Sequence, residues 1–286
     1  RQSGVNFQIS HHKASGYKNK GKSYTTLAMI EKANQQGLNI HCDVYPYTAA
    51  STQFSAVLPP WALEGGVEKL MERLADDKEK EEIKAVMQDE HADFENVSQN
   101  TTWDKIIISQ CSVVKYEGKS VQAIAEEQGM DIYETVFEIL SSSRNNAMMI
   151  LYLMDESDVS HIIKNQYSMI SSDGIPSLAK YHPRYIGAFA RVLDHYVKNA
   201  YLLSLPEAIY KMTGLPAEKF GIAGRGVIQK GYKADMVLMD FTAFKDNATY
   251  ESFDATADGI KLVLINGKIA AQDGIYTSLC AGEVLR

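Results

Sequence analysis

Residues 5–10 alternate apolar Val5, Phe7 and Ile9 with polar Asn6, Gln8 and Ser10, a period of two that predicts a strand. A Gly- and Lys-rich loop follows, Ala14 to Lys22. From about Ser23, Leu27, Ile30 and Ala33 recur on one face of a helix that Gly37 stops. Leu38 to Val44 reads as a second strand. Strand, helix and strand in so short a span predict a parallel βαβ unit, with both strands ending on one side of their sheet. His11 and Tyr45 then stand close together.

The pattern changes over residues 60–102. Val67, Leu70, Met71 and Leu74, then Ile83, Val86 and Met87, keep helical spacing in a background of Glu, Lys and Asp. This predicts a helical insertion, or equally a pair of surface helices. Ile106 to Ser109 is a short strand, and helices are expected over 121–127, 132–140 and 159–165. Tyr167 to Ser172 forms another strand, ending on Asp173-Gly174. A helix is expected around 188–198. Another starts at Ser204, with Ser204 as N-cap, Pro206 in the first turn and Glu207 behind it, and Gly214 ends it. Beyond Gly224 the pattern turns to strands, with Asn266-Gly267 between Lys261–Ile265 and Lys268–Ala270 marking a hairpin. A boundary near 222 divides an α/β layer, 1–222, from a small β module, 223–286.

Composition narrows the class of partner. The 286 residues are 45 % hydrophobic and 23 % charged, values of an ordinary globular chain. A formal net charge of −7 argues against a nucleic-acid partner, which calls for a basic face. No apolar run approaches the roughly 18–20 residues that span a bilayer. Three widely spaced cysteines, Cys42, Cys111 and Cys280, make no disulfide framework and suggest a reducing cytoplasm. The chain opens at Arg1 almost directly in a strand, which raises the expectation of further residues on its N-terminal side.

Three strand ends carry polar groups: Ser10-His11-His12-Lys13, Asp43-Val44-Tyr45-Pro46-Tyr47, and Ser172-Asp173-Gly174 with His182-Pro183-Arg184 beyond. Placing such groups at the C-terminal ends of parallel strands is how a (β/α) barrel builds a site. His11 is a candidate metal ligand or a hydrogen-bonded strand-end histidine. His12, its neighbour, points to the other side of the strand. Asp173 is a candidate general base or an Asx-turn residue. Lys13, Arg184 and Tyr45, with Tyr47 as the less favoured tyrosine, are candidates for binding an anionic substrate. Gly221 to Gly226 lacks the GxGxxG spacing of a phosphate loop, adjacent His41 and Cys42 face opposite ways, and Ser51 has no G-x-S-x-G context.

These motifs, in this order, resemble the N-acyl-D-amino-acid deacylases (D-aminoacylases) of the amidohydrolase superfamily. The run Gly224-Arg225-Gly226 to Ala234-Asp235-Met236-Val237 is similar to the usual ending of that superfamily. The resemblance implies an α/β fold: the C-terminal part of a (β/α)8 (TIM) barrel plus part of a small β-sandwich. It implies zinc in the intact enzyme, His11 and Asp173 as metal ligands, Asp173 also as the catalytic carboxylate, and Lys13, Tyr45 and Arg184 on the substrate. The reaction implied is hydrolysis of the N-acyl amide bond of an N-acyl-D-amino acid, a small-molecule substrate.

The departures are equally specific. The family's His-x-His strand and bridging Cys or Lys have no counterpart here, and one histidine with one carboxylate falls short of the three protein ligands of catalytic zinc. A partial barrel leaves sheet edges open and predicts self-association. A dihydroorotase- or hydantoinase-like cyclic amidohydrolase is the rival reading. A metal-free scaffold protein is the reading from a different class.

Overall fold

The computed structural model describes residues 6–175 and 182–285. Val5, the first residue of the predicted opening strand, lies outside them. Strand β1 (Phe7–Ile9) leads through helix α1 (Lys22–Gln35) to β2 (Ile40–Val44), and the two strands pair in parallel with Gln8 opposite His41. Leu27 and Ile30 are the apolar residues that α1 buries, with Ser23 at its start, and its chain leaves through Gly37 at φ 82°. The N-terminus of α1 is capped from far away in sequence. Asp158 accepts from the backbone N–H of Gly21 at 2.8 Å and of Ser23 at 3.2 Å. These N–H groups have no partner inside the helix, so a buried carboxylate there satisfies both donors and the helix dipole.

After β2 the chain leaves this sheet and returns to it only at Ser168. Strands β3 (Ala49–Gln53), β4 (Ile106–Cys111) and β5 (Ala147–Tyr152) form an antiparallel sheet in the order β3-β5-β4. Helices α2 (Gly66–Ala75), α3 (Asp77–Gln88), α4 (Val121–Gln128) and α5 (Ile132–Ser143) accompany it. Phe54, Leu70, Ile83, Ile108, Ile139 and Met149 are the heart of its own core. The expected helical insertion over 60–102 is therefore too short a description. Its helices belong to a layer that starts at Ala49 and closes at Tyr152, because β3 and β5 pair across it.

Helix α6 (Glu156–Lys164) returns the chain to the first sheet, where β6 (Ser168–Ile170) pairs in parallel with β2, giving the order β1-β2-β6. Helix α7 (Arg184–Arg191) continues into a π-helical turn, Val192–Asn199. Helix α8 (Leu205–Met212) begins at the expected N-cap, Ser204, whose side chain and that of Glu207 form a reciprocal capping box. A further helix, α9 (Gly214–Phe220), follows at once. Leu27, Val44, Ile162, Ile170, Val192 and Tyr196 pack around the parallel strands as a second core, each fully buried Leu, Ile or Val adding about 1.5–3 kcal/mol.

Strands β7 (Met236–Met239), β8 (Ile260–Ile265), β9 (Lys268–Gln272) and β10 (Ile275–Tyr276) form a second antiparallel sheet in sequence order. Asn266 (φ 50°) and Gly267 (φ 75°) are the two left-handed residues of the β8–β9 turn, as a hairpin with a type I′ turn requires. The division near 222 is not clean. Phe244 is buried in the second core, and Lys198 Nζ donates to the carbonyls of Thr242 and Phe244 at 2.8 and 2.9 Å. The β7–β8 connection thus folds back against the α/β layer. No helix among the described residues is long and apolar enough to cross a membrane.

Candidate active site at the ends of the parallel strands

The parallel register of β1, β2 and β6 brings their C-terminal ends to one side, where most of the candidate side chains meet. Asp173 follows β6 at φ 45°, and Gly174 lies so close to α7 that a Cβ would come within 2.8 Å of Tyr185 Cα. That close approach sets Asp173 against the first turn of α7. Arg184 Nη2 lies 3.0 Å from Asp173 Oδ2, the arginine side chain 4 % exposed and the aspartate 37 %. The Arg184 guanidinium lies over the Tyr45 ring, 4.6 Å from its centroid, and the Lys13 ammonium stands 5.6 Å from the same centroid. Burial pushes the Lys13 ammonium down from its usual pKa, with Asp173 pulling it back up.

Two polar atoms in this cluster are buried without a hydrogen-bond partner among the described residues: Arg184 Nη1 and Tyr45 Oη. Burial also raises the Tyr45 phenol above its usual range, so it stays a donor. A guanidinium nitrogen and a phenol, both desolvated and neither in a well-formed hydrogen bond, are suited to the two oxygens of a carboxylate.

His182 organises the other side. Its Nδ1 accepts the Arg184 backbone N–H at 3.0 Å, so its proton is on Nε2, which donates to the Ala49 carbonyl at 2.9 Å. Burial, then the Arg184 charge, hold its pKa down to about 3. It is a neutral buttress linking α7 to the start of β3. Tyr47 meets it edge-on at 5.0 Å, and Tyr250, carried in from the β7–β8 connection, at 5.1 Å. Tyr47 in turn lies under Arg191 (5.1 Å), so Tyr45 is the tyrosine placed beside Lys13 and Arg184.

His11 is exposed, at φ 40°, and His12 is buried with Nε2 2.9 Å from Thr26 Oγ1. His11 Nδ1 lies 2.8 Å from Lys13 Nζ; an ammonium can only donate, so that lone pair is engaged. The structure brings Lys13, Tyr45, Asp173 and Arg184 together, and His11 joins them through Lys13.

Asp43, part of the second motif, was not among the candidates. Its Oδ1 accepts from the His11 N–H (2.9 Å) and the Ser171 hydroxyl (2.7 Å), and its Oδ2 from Gln8 Nε2 (2.7 Å). Its place in the strand-end motif, one residue before the end of β2, was the signal for it. Nothing in the sequence marked Tyr250, which lies beyond the expected domain boundary.

Polar side chains gathered at the C-terminal ends of parallel strands, a carboxylate beside a buried guanidinium and a phenol, are placed where α/β enzymes build their sites. The chain belongs to the amidohydrolase family, whose model matches residues 81–271. It is 34 % identical to the D-aminoacylase of Alcaligenes xylosoxydans xylosoxydans over its whole length, covering 49 % of that protein. It is 33 % identical to the N-acyl-D-glutamate deacylase of the same organism, covering 93 % of this chain and 46 % of that one. The N-acyl-D-glutamate deacylase of Bordetella bronchiseptica, solved with zinc and a phosphonate mimic of the tetrahedral intermediate, superposes with a TM-score of 0.74 at 32 % identity. That match covers 96 % of this chain and 49 % of the related one. The chain spans about half the length of the curated relatives it matches.

Zinc in that related structure invites a test of the donors here. Among the described residues no group of three or more His, Cys, Asp and Glu side chains converges on one point. Asp173 is paired with Arg184, and the His11 Nδ1 lone pair with Lys13. Catalytic zinc takes three protein ligands. These residues do not by themselves fit it.

Proposed function

We propose that this chain carries the substrate-carboxylate pocket and the general-base carboxylate of a metal-dependent hydrolase acting on N-acyl-D-amino acids. The observation that carries the reading is the Asp173–Arg184 pair, with Arg184 Nη1 and Tyr45 Oη buried beside it and neither in a well-formed hydrogen bond. Arg184 and Tyr45 bind the α-carboxylate of the substrate, and Lys13 adds a positive charge to the same pocket. A carboxylate held there puts the adjoining amide within the reach of Asp173. Asp173 takes a proton from the attacking water as the C–O bond forms. It returns that proton to the amide nitrogen as the C–N bond breaks, releasing a carboxylic acid and a D-amino acid. His11 is a candidate metal donor at the end of β1, within a donor set larger than the one present here.

The fold supports the same assignment in finer form. The parallel sheet β1-β2-β6, with α1 and α6 packed on it, suits the late strands of a (β/α)8 barrel, and β7–β10 suits one sheet of a small sandwich. Residues 1–222 then make the barrel portion with its inserted layer, and 223–286 the β module.

Assay of the zinc-supplemented intact protein on N-acetyl-D-amino acids, dihydroorotate and hydantoins tests the function. Turnover of the N-acetyl-D-amino acids is expected. Turnover confined to the cyclic amides favours the rival, and no turnover of any favours a scaffold.

A further inference from the structure

Two of the candidate site residues, His11 and Asp173, sit in the left-handed region, at φ 40° and 45°. For a residue other than glycine this conformation is strained and persists only when the surroundings hold it. They lie at the ends of β1 and β6, which are not paired with each other; β2 runs between them. Asp43, on β2, reaches both ends. One oxygen, Oδ1, accepts the backbone N–H of His11 itself (2.9 Å) and the hydroxyl of Ser171 (2.7 Å), two residues before Asp173. The other, Oδ2, accepts from Gln8 (2.7 Å) on β1. Backbone bonds hold the same two crossings: His12 N–H to the Asp43 carbonyl (2.8 Å) and Ser171 N–H to the Val44 carbonyl (3.0 Å).

We propose that Asp43 is a positioning residue that sets the backbone of His11 and its separation from Asp173. Its carboxylate is a bracket across three strands, with both oxygens taken by donors of the protein itself. A methyl group in its place leaves the His11 N–H without an acceptor and frees the loop to relax toward an unstrained conformation. An asparagine keeps the bracket. Its oxygen still serves His11 and Ser171, and its amide faces Gln8, whose Oε1 has no partner among the described residues and can turn to accept.

The consequence for turnover rests on the deacylase reading, so the test has two arms. Amide hydrogen exchange is followed at His11 and His12 in the wild type, Asp43→Ala and Asp43→Asn. Protection at His11 is expected to vanish in D43A and survive in D43N, while His12, bonded to the Asp43 backbone, stays protected in both. In the intact protein acting on an N-acetyl-D-amino acid, kcat of D43A is expected to fall about 10- to 100-fold. KM should stay within about threefold, since Arg184 and Tyr45 hold the substrate independently, and D43N should restore kcat to within about threefold of wild type. Retained His11 protection in D43A, an unchanged kcat, a fall seen only in KM, or a D43N as impaired as D43A would overturn the proposal. Should D43A fail to fold, Ser171→Ala removes one arm of the bracket, and an unaltered kcat there overturns it equally. A wild type inert on every N-acyl-D-amino acid refutes the deacylase reading instead, and the exchange arm still decides whether Asp43 holds His11.

Discussion

Arg184 Nη2 stands 3.0 Å from Asp173 Oδ2, with the arginine side chain almost wholly buried and the aspartate open to solvent on one side. Under the proposed function the pair divides the labour of the site. The buried guanidinium would recognise charge, and the half-open carboxylate would meet water and the amide. Removing the carboxylate should therefore stop chemistry before it weakens binding. Asp173→Asn is expected to lower kcat by about 100-fold or more with a much smaller change in KM. Steady-state kinetics check this, and a kcat within threefold of wild type would remove Asp173 from the role of base.

His182 gives the site an acid limit. Its pKa is about 3 in the fold against 6.5 in the unfolded chain. Between these values the unfolded chain binds a proton that the native chain excludes. The stability gained by burying it neutral is complete above about pH 6.5 and is lost as pH falls toward 3. Unfolding free energy measured by denaturant should drop with falling pH, His182 contributing a slope of about 1.4 kcal/mol per pH unit in that window. His182→Gln should show a slope shallower by that amount. Parallel pH profiles for the two proteins would contradict the assignment.

Asp158 caps α1 from α6, through Gly21 and Ser23, and is itself buried. Asp158→Ala leaves two helix N–H groups unsatisfied and should cost about 1–3 kcal/mol. Chemical denaturation reads the loss directly. Stability within about 0.5 kcal/mol of wild type would mean that other groups satisfy those donors.

The C-terminal sheet exposes Leu238, Ile275 and Tyr276 at 61, 74 and 76 % of their surface. The parallel sheet also ends on β1, where Phe7 is exposed. Exposed apolar side chains at both edges of the C-terminal sheet, and open strand edges, favour association. The 286-residue chain is expected to self-associate in sedimentation velocity as its concentration rises, and Leu238→Glu to weaken the association. A monomer at every concentration would contradict this.

The sequence was most legible where a local pattern decides structure. The alternation from Phe7 to Ser10, the helical spacing of Leu27 and Ile30, the Ser204 N-cap and the Asn266-Gly267 turn each produced the element they predict. It was silent where long-range pairing decides. Ala49 to Gln53 carries too little apolar character to announce β3, and its strand exists because Leu151 and Met149 of β5 lie opposite. Ala147 to Tyr152 is a continuous apolar run that reads as strand or buried helix alike. The inserted layer was underestimated for that reason. The strand-end motifs pointed to Lys13, Tyr45, Asp173 and Arg184, which the fold brings together. Asp43 escaped because its role needs the register of three strands, and Tyr250 because it returns from the far side of a domain boundary.

The central claim, that Arg184 and Tyr45 read a substrate carboxylate beside Asp173, is tested most directly by a pair of substrates differing only in that group. The measurement is kcat/KM of the intact, zinc-supplemented protein for an N-acetyl-D-amino acid and for its C-terminal carboxamide, in the wild type, Arg184→Lys and Arg184→Met. The wild type is predicted to prefer the acid by about 100-fold or more, since a desolvated guanidinium and phenol are left unpaired by the neutral analogue. Arg184→Met should erase most of that preference by raising KM for the acid, and Arg184→Lys should keep only part of it, having the charge without the fork. A wild type that hydrolyses acid and amide equally well, or an Arg184→Met that keeps the full preference, would contradict the account.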